Sequence, residues 1–196
     1  MSLIALPAGL RVADFSLRLD VNAAAFRSPF GGSEQVVDLL SDRWVCSLSI
    51  TPTTPAESGA IEAFLAAMRG GVNHVELYHA ARKTPTGTIS GSVTAQAAAQ
   101  GAASIVLNAT TGQTFKAGDL FGVSGLLLQV AADCTSSSGA ITVPLVNRLR
   151  KAITNGSAVT LIQPKVPMRM VGMAGITHRP GYADGVSLDF VEKVDA

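Results

Sequence analysis

The residue types that most often carry catalysis are sparse in this chain. It has three histidines in 196 residues. His178 stands beside Arg179, Tyr182 and Asp184, and a His, Tyr and Asp cluster is able to transfer protons in acid–base catalysis. No nucleophile elbow and no glycine-rich helix start accompany these residues. We therefore interpret the segment 177–185 as a polar hairpin loop.

The other two histidines, His74 and His79, are five residues apart in a predicted strand. Side chains at an odd spacing in a strand point to opposite faces, so this pair cannot share a metal ion. The two cysteines, Cys46 and Cys134, lie in segments that we assign to different domains, and they lack metal-site spacing. We expect no metal, no cofactor and no disulfide.

Paired carboxylates are the other candidates for chemistry, because glycoside hydrolysis needs two acids across a cleft. Three pairs are close in sequence: Glu34 with Asp38, Asp119 with Asp133, and Asp184 with Asp189. None stands in a recognisable catalytic motif. Asp119 is better interpreted as a turn residue that accepts backbone hydrogen bonds. The sequence predicts that the chain is not an enzyme.

The charge pattern argues against nucleic acid as a partner. The net charge is +1, from 15 basic and 14 acidic residues, whereas phosphate-backbone binding needs a strongly basic surface. The densest basic run is Arg148, Arg150 and Lys151, which we interpret as a solvated turn after a strand. The segment 118–122 precedes a strand rather than a helix, so it is not a phosphate loop.

Composition favours a compact β protein that associates. Charged residues are 15% of the chain and hydrophobic residues 47%, against about 25% charged in typical globular proteins. So few charges favour self-association. The first residues lack the features of a signal peptide, and no apolar run approaches the roughly 18 residues of a membrane span. We expect a soluble protein, synthesised in the cytoplasm and without membrane insertion.

Strands and one helix emerge from the periodicity. Period-two alternation predicts strands over 14–21 and 43–51, with Trp44 and Cys46 in the core. Thr54 to Glu57 form a capping box with proline at the first helical position. An apolar stripe then predicts a helix over about 55–69 that lies on a sheet; its members are Ile61, Phe64, Leu65 and Met68.

Between the first strands lies the segment 26–32, in which Pro29 and two glycines exclude a central strand. We predict a loop here, with a further strand over about 34–40. Phe26 and Phe30 belong to this loop. Each of them is either an exposed contact residue or part of the core.

The chain changes character after residue 82. From 82 to about 100 it is rich in Thr, Gly, Ser, Ala and Gln without periodicity, which favours a linker or an extended excursion. Short strands follow at intervals of 8 to 15 residues, as in a small β-barrel or sandwich. Strands over 168–173 and 186–191 close the chain. We predict a discontinuous β-rich domain of residues 1–82 and 166–196, with an inserted β domain of residues 83–165.

The order of these elements resembles a family of tail proteins of tailed bacteriophages. The matching features include the strand with Trp44, the Thr54–Glu57 helix start, the run Phe115–Asp119 and the segment Val143–Leu145. The similarity covers most of the chain. Similarity to distal tail proteins, the hub of the tail tip, rests on the order of elements.

The resemblance implies a structural virion protein. Distal tail proteins form hexameric rings that join the tail tube to the baseplate, tip or receptor-binding fibre. It implies that residues 1–82 with 166–196 form the β-sandwich-like ring domain and that residues 83–165 form a peripheral domain. The partners would be other copies of the chain and other tail proteins, and the location would be the virion tail.

Two features point to the subunit contact. Ring contacts between identical subunits are heterologous and close by rotation, and exposed strand edges of the N-terminal segment could join by strand addition. Phe26 and Phe30 are the candidate contact residues. Two alternatives remain open. One is another tail component (tube, neck or minor tail protein), and the other is a carbohydrate-binding accessory module, for which one Trp and two Tyr offer few stacking platforms.

Overall fold

A computed structural model describes residues 1–7, 11–39, 41–51, 54–179 and 182–194, with the backbone alone for Pro55, Ala56 and Tyr182. The fold is mainly β with one α-helix, which confirms the predicted class. The helix α1 spans Pro55–Met68, and a short 3-10 turn follows over Arg69–Gly71. The strands in chain order are β1 Val12–Asp20, β2 Ala23–Arg27, β3 Glu34–Asp38, β4 Arg43–Ile50, β5 Val75–Tyr78, β6 Val93–Ala95, β7 Ser104–Asn108, β8 Thr114–Phe115, β9 Leu120–Val123, β10 Leu126–Gln129, β11 Cys134–Thr135, β12 Ala140–Pro144, β13 Ser157–Thr160, β14 Lys165–Val171, β15 His178–Arg179, β16 Tyr182–Ala183 and β17 Val186–Glu192.

The chain divides into two compact units. The helix unit comprises Met1–Arg18, Trp44–Lys83 and Gln163–Ala196, and the barrel unit comprises Leu19–Arg43 and Thr84–Ile162. Residues 19–43, which the sequence groups with the first domain, cluster with the second one. The chain therefore enters the barrel unit twice.

The helix unit is built on a five-stranded sheet in the order β1-β4-β17-β14-β5. Strands β4 and β17 pair antiparallel over six residues, so that Leu48 lies opposite Leu188 on the buried face. Alternation along β4 follows period two, and Trp44 and Cys46 are buried as predicted. The sheet is curled, as the contact between its two edges shows. The ring centroids of Phe15, on the edge strand β1, and of His79, just beyond the edge strand β5, lie 5.1 Å apart.

Helix α1 starts and ends where the sequence predicts. Thr54 N donates to the Glu57 carboxylate at 3.4 Å, which is one half of a capping box. The predicted apolar stripe is buried; its members are Ile61, Phe64, Leu65 and Met68. The helix ends at Arg69 in the left-handed conformation. A Cβ on Gly71 would overlap the Met170 carbonyl, so the chain needs glycine where it passes β14.

A proline lies within the helix unit's sheet. Pro167 belongs to β14. Its carbonyl accepts Lys193 N at 2.8 Å, just beyond the end of β17. Proline has no N–H to donate, and at this position the partner strand β17 has already ended. The missing hydrogen bond therefore destabilises the sheet little.

The barrel unit contains a six-stranded antiparallel sheet in the order β10-β9-β13-β6-β7-β12. The two edge strands meet through a bridge between Val130 and Leu145. Ala131 N donates to Pro144 O and Val146 N to Gln129 O, each at 2.9 Å. Closing a sheet on itself satisfies the edge groups that would otherwise face water.

The linker predicted over 82–100 is wrong in part. Strand β6 lies within it and pairs with both β13 and β7. Val93 and Ala95 of β6 are buried in the barrel core. A strand of three residues carries too little alternation to be recognised by periodicity.

Candidate interaction surface

A two-stranded hairpin stands apart from both larger sheets. It is formed by β2 and β3, which pair antiparallel over five residues from Ala23 opposite Asp38 to Arg27 opposite Glu34. Within the described residues, neither outer edge of this hairpin pairs with a further strand. Isolated two-stranded hairpins are at best marginally stable in water, so this one depends on anchors at its base or on a partner.

The turn at the tip follows from its residue types. Ser28 N donates to Ser33 O at 2.8 Å, which closes the turn. The Ser28 hydroxyl accepts the N–H groups of Phe30 and Gly31, each at 3.3 Å. Gly32 adopts a φ of +65°, which glycine tolerates without strain. The turn is thus held locally, and the Phe30 side chain takes no part in holding it.

The candidate contact residues are both exposed. Phe30 at the tip is 99% exposed and Phe26 on β2 is 63% exposed. The predicted loop over 26–32 is wrong for Phe26, because β2 continues through Arg27. Val36, on the opposite face of the hairpin, is 63% exposed. The exposed apolar side chains therefore lie on both faces and at the tip of the hairpin, which makes the hairpin a candidate interaction surface.

The two hairpin faces differ at the base. Ala24 lies opposite Val37 on the face that carries Phe26, and both are half-buried. Ala25 and Val36 share the other face, and both are exposed. The hairpin is therefore attached by one face near its base, while its outer half is open.

Two arginines of the run 148–151, which the sequence predicts to be a solvated turn, contact the base of the hairpin, and Arg148 remains exposed. Arg148 lies 3.4 Å from the Asp38 carboxylate at the end of β3. Arg150 donates to the Asp42 carbonyl at 2.9 Å. Asn22 donates to the Ser41 hydroxyl at 2.6 Å and closes the hairpin neck. A run of basic residues gives no sequence signal for such a role, because the partners are more than 100 positions away.

The catalytic candidates around His178 make local polar contacts. His178 Nε2 shares a hydrogen bond with the Glu62 carboxylate of α1 at 2.6 Å, and Arg179 forms an ion pair with Asp184 at 2.8 Å. His74 and His79 flank β5 rather than lying inside it. Among the described residues, no three His, Cys, Asp or Glu side chains lie close enough to hold a metal ion. Both cysteines are free.

Asp119 behaves as the sequence predicts. The residue as a whole is 5% exposed. It accepts Thr86 N and Thr86 Oγ1, both at 2.7 Å, Gly87 N at 3.1 Å and Lys116 N at 2.9 Å. Burial alone raises the pKa of Asp119, but these hydrogen bonds together outweigh burial and lower it. The residue fixes the start of the barrel to the turn before β9.

Asp133 also accepts a hydrogen bond from Lys116, but unlike Asp119 it is exposed. Its carboxylate accepts Lys116 Nζ at 2.7 Å and Ala117 N at 2.8 Å, with 59% of the side chain exposed. The hydrogen bond from Lys116 and the one from Ala117 lower the pKa of Asp133. Both carboxylates thus accept hydrogen bonds from backbone N–H groups.

Each of the two units also carries a groove. One, of about 350 Å³, lies in the helix unit between α1 and the segment after β14, and it includes Leu65 and Met173. The other, of about 530 Å³, lies in the barrel unit and includes Pro85, Ile89 and Leu161. None of the three carboxylate pairs of the sequence analysis lines either groove.

Comparison with known proteins adds no family assignment. No protein-family model matches the sequence, and no curated protein matches it. In the described part of the chain, no helix has the length and apolar character to cross a membrane.

Proposed function

We propose that this chain is a structural virion protein of a bacteriophage tail, a distal tail protein whose ring links the tail tube to the tip or receptor-binding apparatus. The sequence resemblance to tail proteins supports the tail, and the order of elements supports the distal position. The observation that best supports self-assembly is the exposed hairpin of β2 and β3. Its partner would be the next copy of the chain in the ring.

The energies indicate how much of the contact the two phenylalanines supply. Burying one exposed Phe contributes about 1.5–3 kcal/mol, so Phe26 and Phe30 together contribute roughly 3–6 kcal/mol. Association costs about 4–15 kcal/mol in lost freedom of motion. The two side chains alone therefore fall short of a stable contact. Pairing of the free hairpin edges with a neighbouring strand would supply the rest.

Native mass spectrometry over a range of concentrations, with electron microscopy of the same samples, tests this proposal. We expect the unaltered chain to form a closed ring, six copies being the number that the resemblance implies. Phe30→Ser should weaken each contact about 10- to 100-fold, from a loss of about 1.5–3 kcal/mol. Phe26→Ser should act in the same direction.

Met173→Ser is the matched control, because Met173 is a 95% exposed apolar residue of the helix unit. It should leave the ring intact. A chain that stays monomeric at every concentration, or Phe variants that assemble as the unaltered chain does, would contradict the hairpin contact. Selective binding to a glycan array by a monomeric chain would favour the carbohydrate-binding alternative.

A further inference from the structure

An unusual arrangement of donors surrounds His79, just beyond the edge strand β5. Its Nδ1 accepts Ala81 N at 3.2 Å and Arg82 N at 3.0 Å. Its Nε2 faces Arg82 Nε at 3.4 Å. Both ring nitrogens thus face N–H donors. A neutral imidazole accepts at one nitrogen only, and an imidazolium accepts at neither.

The ring also closes the curl of the sheet. Phe15 on β1 packs against it at 5.1 Å with the two rings tilted by 59°. The charged group that the described structure places against the imidazole is Arg82, since β1 contributes the uncharged Phe15. The turn held by Nδ1 leads directly to Lys83, whose carbonyl accepts Gln163 N at 2.6 Å. The clasp therefore sits where the chain leaves the helix unit and returns to it.

We propose that His79 is an acid-released clasp: protonation of its imidazole frees the turn of residues 80–83 from the edge of the curled sheet. A proton on Nδ1 turns the acceptor of two backbone N–H groups into a donor that faces them. It also places a positive charge beside the Arg82 guanidinium. The clasp responds to the proton and needs no other ligand. The proposal does not depend on assembly of the chain into a ring.

The sign of the pH effect follows from the same surroundings. Burial, and secondly the Arg82 charge, lower the pKa of His79 below its ordinary 6.5. The unfolded or released chain therefore binds a proton before the clasped one does. Clasp stability is fully present above about pH 6.5 and is lost as the pH falls from there through the folded-state pKa.

Amide hydrogen exchange of Ala81 and Arg82, followed by NMR at pH 7.5 and at pH 5 and corrected for the intrinsic pH effect, tests the clasp. In the unaltered chain, we expect protection of both amides to fall at the lower pH, by at most about 30-fold, the limit set by an unfolded pKa of 6.5. His79→Asn keeps an acceptor near the Nδ1 position but cannot be protonated, so its protection should not change with pH. His79→Lys carries a permanent charge and should be unprotected at both pH values.

Two internal standards separate release of the clasp from unfolding. Fluorescence of Trp44, the only tryptophan, and protection of the Phe190 amide in β17 both report the buried core of the helix unit. They should not change between pH 7.5 and pH 5. Unchanged protection of Ala81 and Arg82 in the unaltered chain, or an equal loss in His79→Asn, would overturn the proposal.

Discussion

Replacing Asp119 with asparagine should weaken the barrel unit strongly, because the amide preserves the shape of the carboxylate but not its capacity to accept. One carboxylate oxygen serves the two donors of Thr86 and the other serves Gly87 N and Lys116 N. Turned toward Gly87 and Lys116, the amide NH2 group would meet two backbone donors. Turned toward Thr86, it would meet one backbone donor, because the Thr86 hydroxyl can rotate and accept. We expect Asp119→Asn to take the second orientation, to lose one hydrogen bond with one donor–donor contact in its place, and to weaken the remaining bonds because the acceptor is no longer charged.

The magnitude follows from those contacts. A hydrogen bond to a charged group contributes about 1.5–3 kcal/mol, and an unsatisfied buried donor costs about 1–3 kcal/mol. Water entering the gap offsets part of the loss, so we expect a net destabilisation of about 3 kcal/mol. With an m-value of about 2 kcal/mol per molar denaturant, the unfolding midpoint of the barrel unit should fall by about 1.5 M.

Denaturant unfolding followed by two probes is the appropriate assay. Far-UV circular dichroism reports both units, whereas Trp44 fluorescence reports the helix unit alone. Asp133→Asn is the matched control, since 59% of that side chain is exposed, and it should destabilise the chain much less than Asp119→Asn does. Equal effects of the two substitutions, or a change below about 0.5 kcal/mol for Asp119→Asn, would refute the reasoning.

Acid unfolding gives an independent check on the same residue. The hydrogen bonds lower the pKa of Asp119 despite its burial. Its contribution is therefore present above the unfolded value near pH 3.9 and is lost as the pH falls through the folded-state pKa. Asp119→Asn should be less stable at neutral pH and should lose less of its stability in acid than the unaltered chain.

Two further predictions concern packing and reactivity. Gly87→Ala should destabilise the chain by about 3 kcal/mol, because the added Cβ would overlap the Thr114 carbonyl and lie 2.9 Å from Phe115 Cα, both of which are backbone. A thermal melt tests this against Gly175→Ala as the control, since a Cβ there meets nothing within 4 Å. Equal melting temperatures of the two variants would contradict the prediction. Burial, with a smaller effect of Asp189, raises the pKa of Cys46 to about 12, so Ellman's reagent at pH 8 should modify the half-buried Cys134 well before Cys46. Cys46→Ser and Cys134→Ser variants assign the two rates, and a Cys46 that reacts as fast in the folded chain as in denaturant would contradict the expectation.

Local signals were enough to predict several elements. The capping box at Thr54 and the apolar stripe ending at Met68 define α1, because both depend on residues within one or two helical turns. Alternation in β4 and β17 is regular enough to place Trp44 in the core. Asp119 was predictable as a turn residue from its position after a glycine and before a strand.

Other features required the folded chain. β6 is a strand because β7 and β13 lie on either side of it, not because of its own three residues. The barrel closes through Val130 and Leu145, and Arg148 reaches Asp38 from 110 residues further along the chain. Such contacts join distant segments, so no local pattern encodes them.

The sequence by itself therefore determined the mainly β class, the single helix and the choice of Phe26 and Phe30 as candidate contacts. Only the tertiary structure decided that both phenylalanines are exposed and that they belong to a hairpin with no neighbouring strand in the described part of the chain. It also decided that this hairpin is anchored within the barrel unit. The physical reason is that hydrophobic periodicity and helix capping depend on residues only a few positions apart. The exposure of a side chain depends instead on which distant segments of the chain cover it.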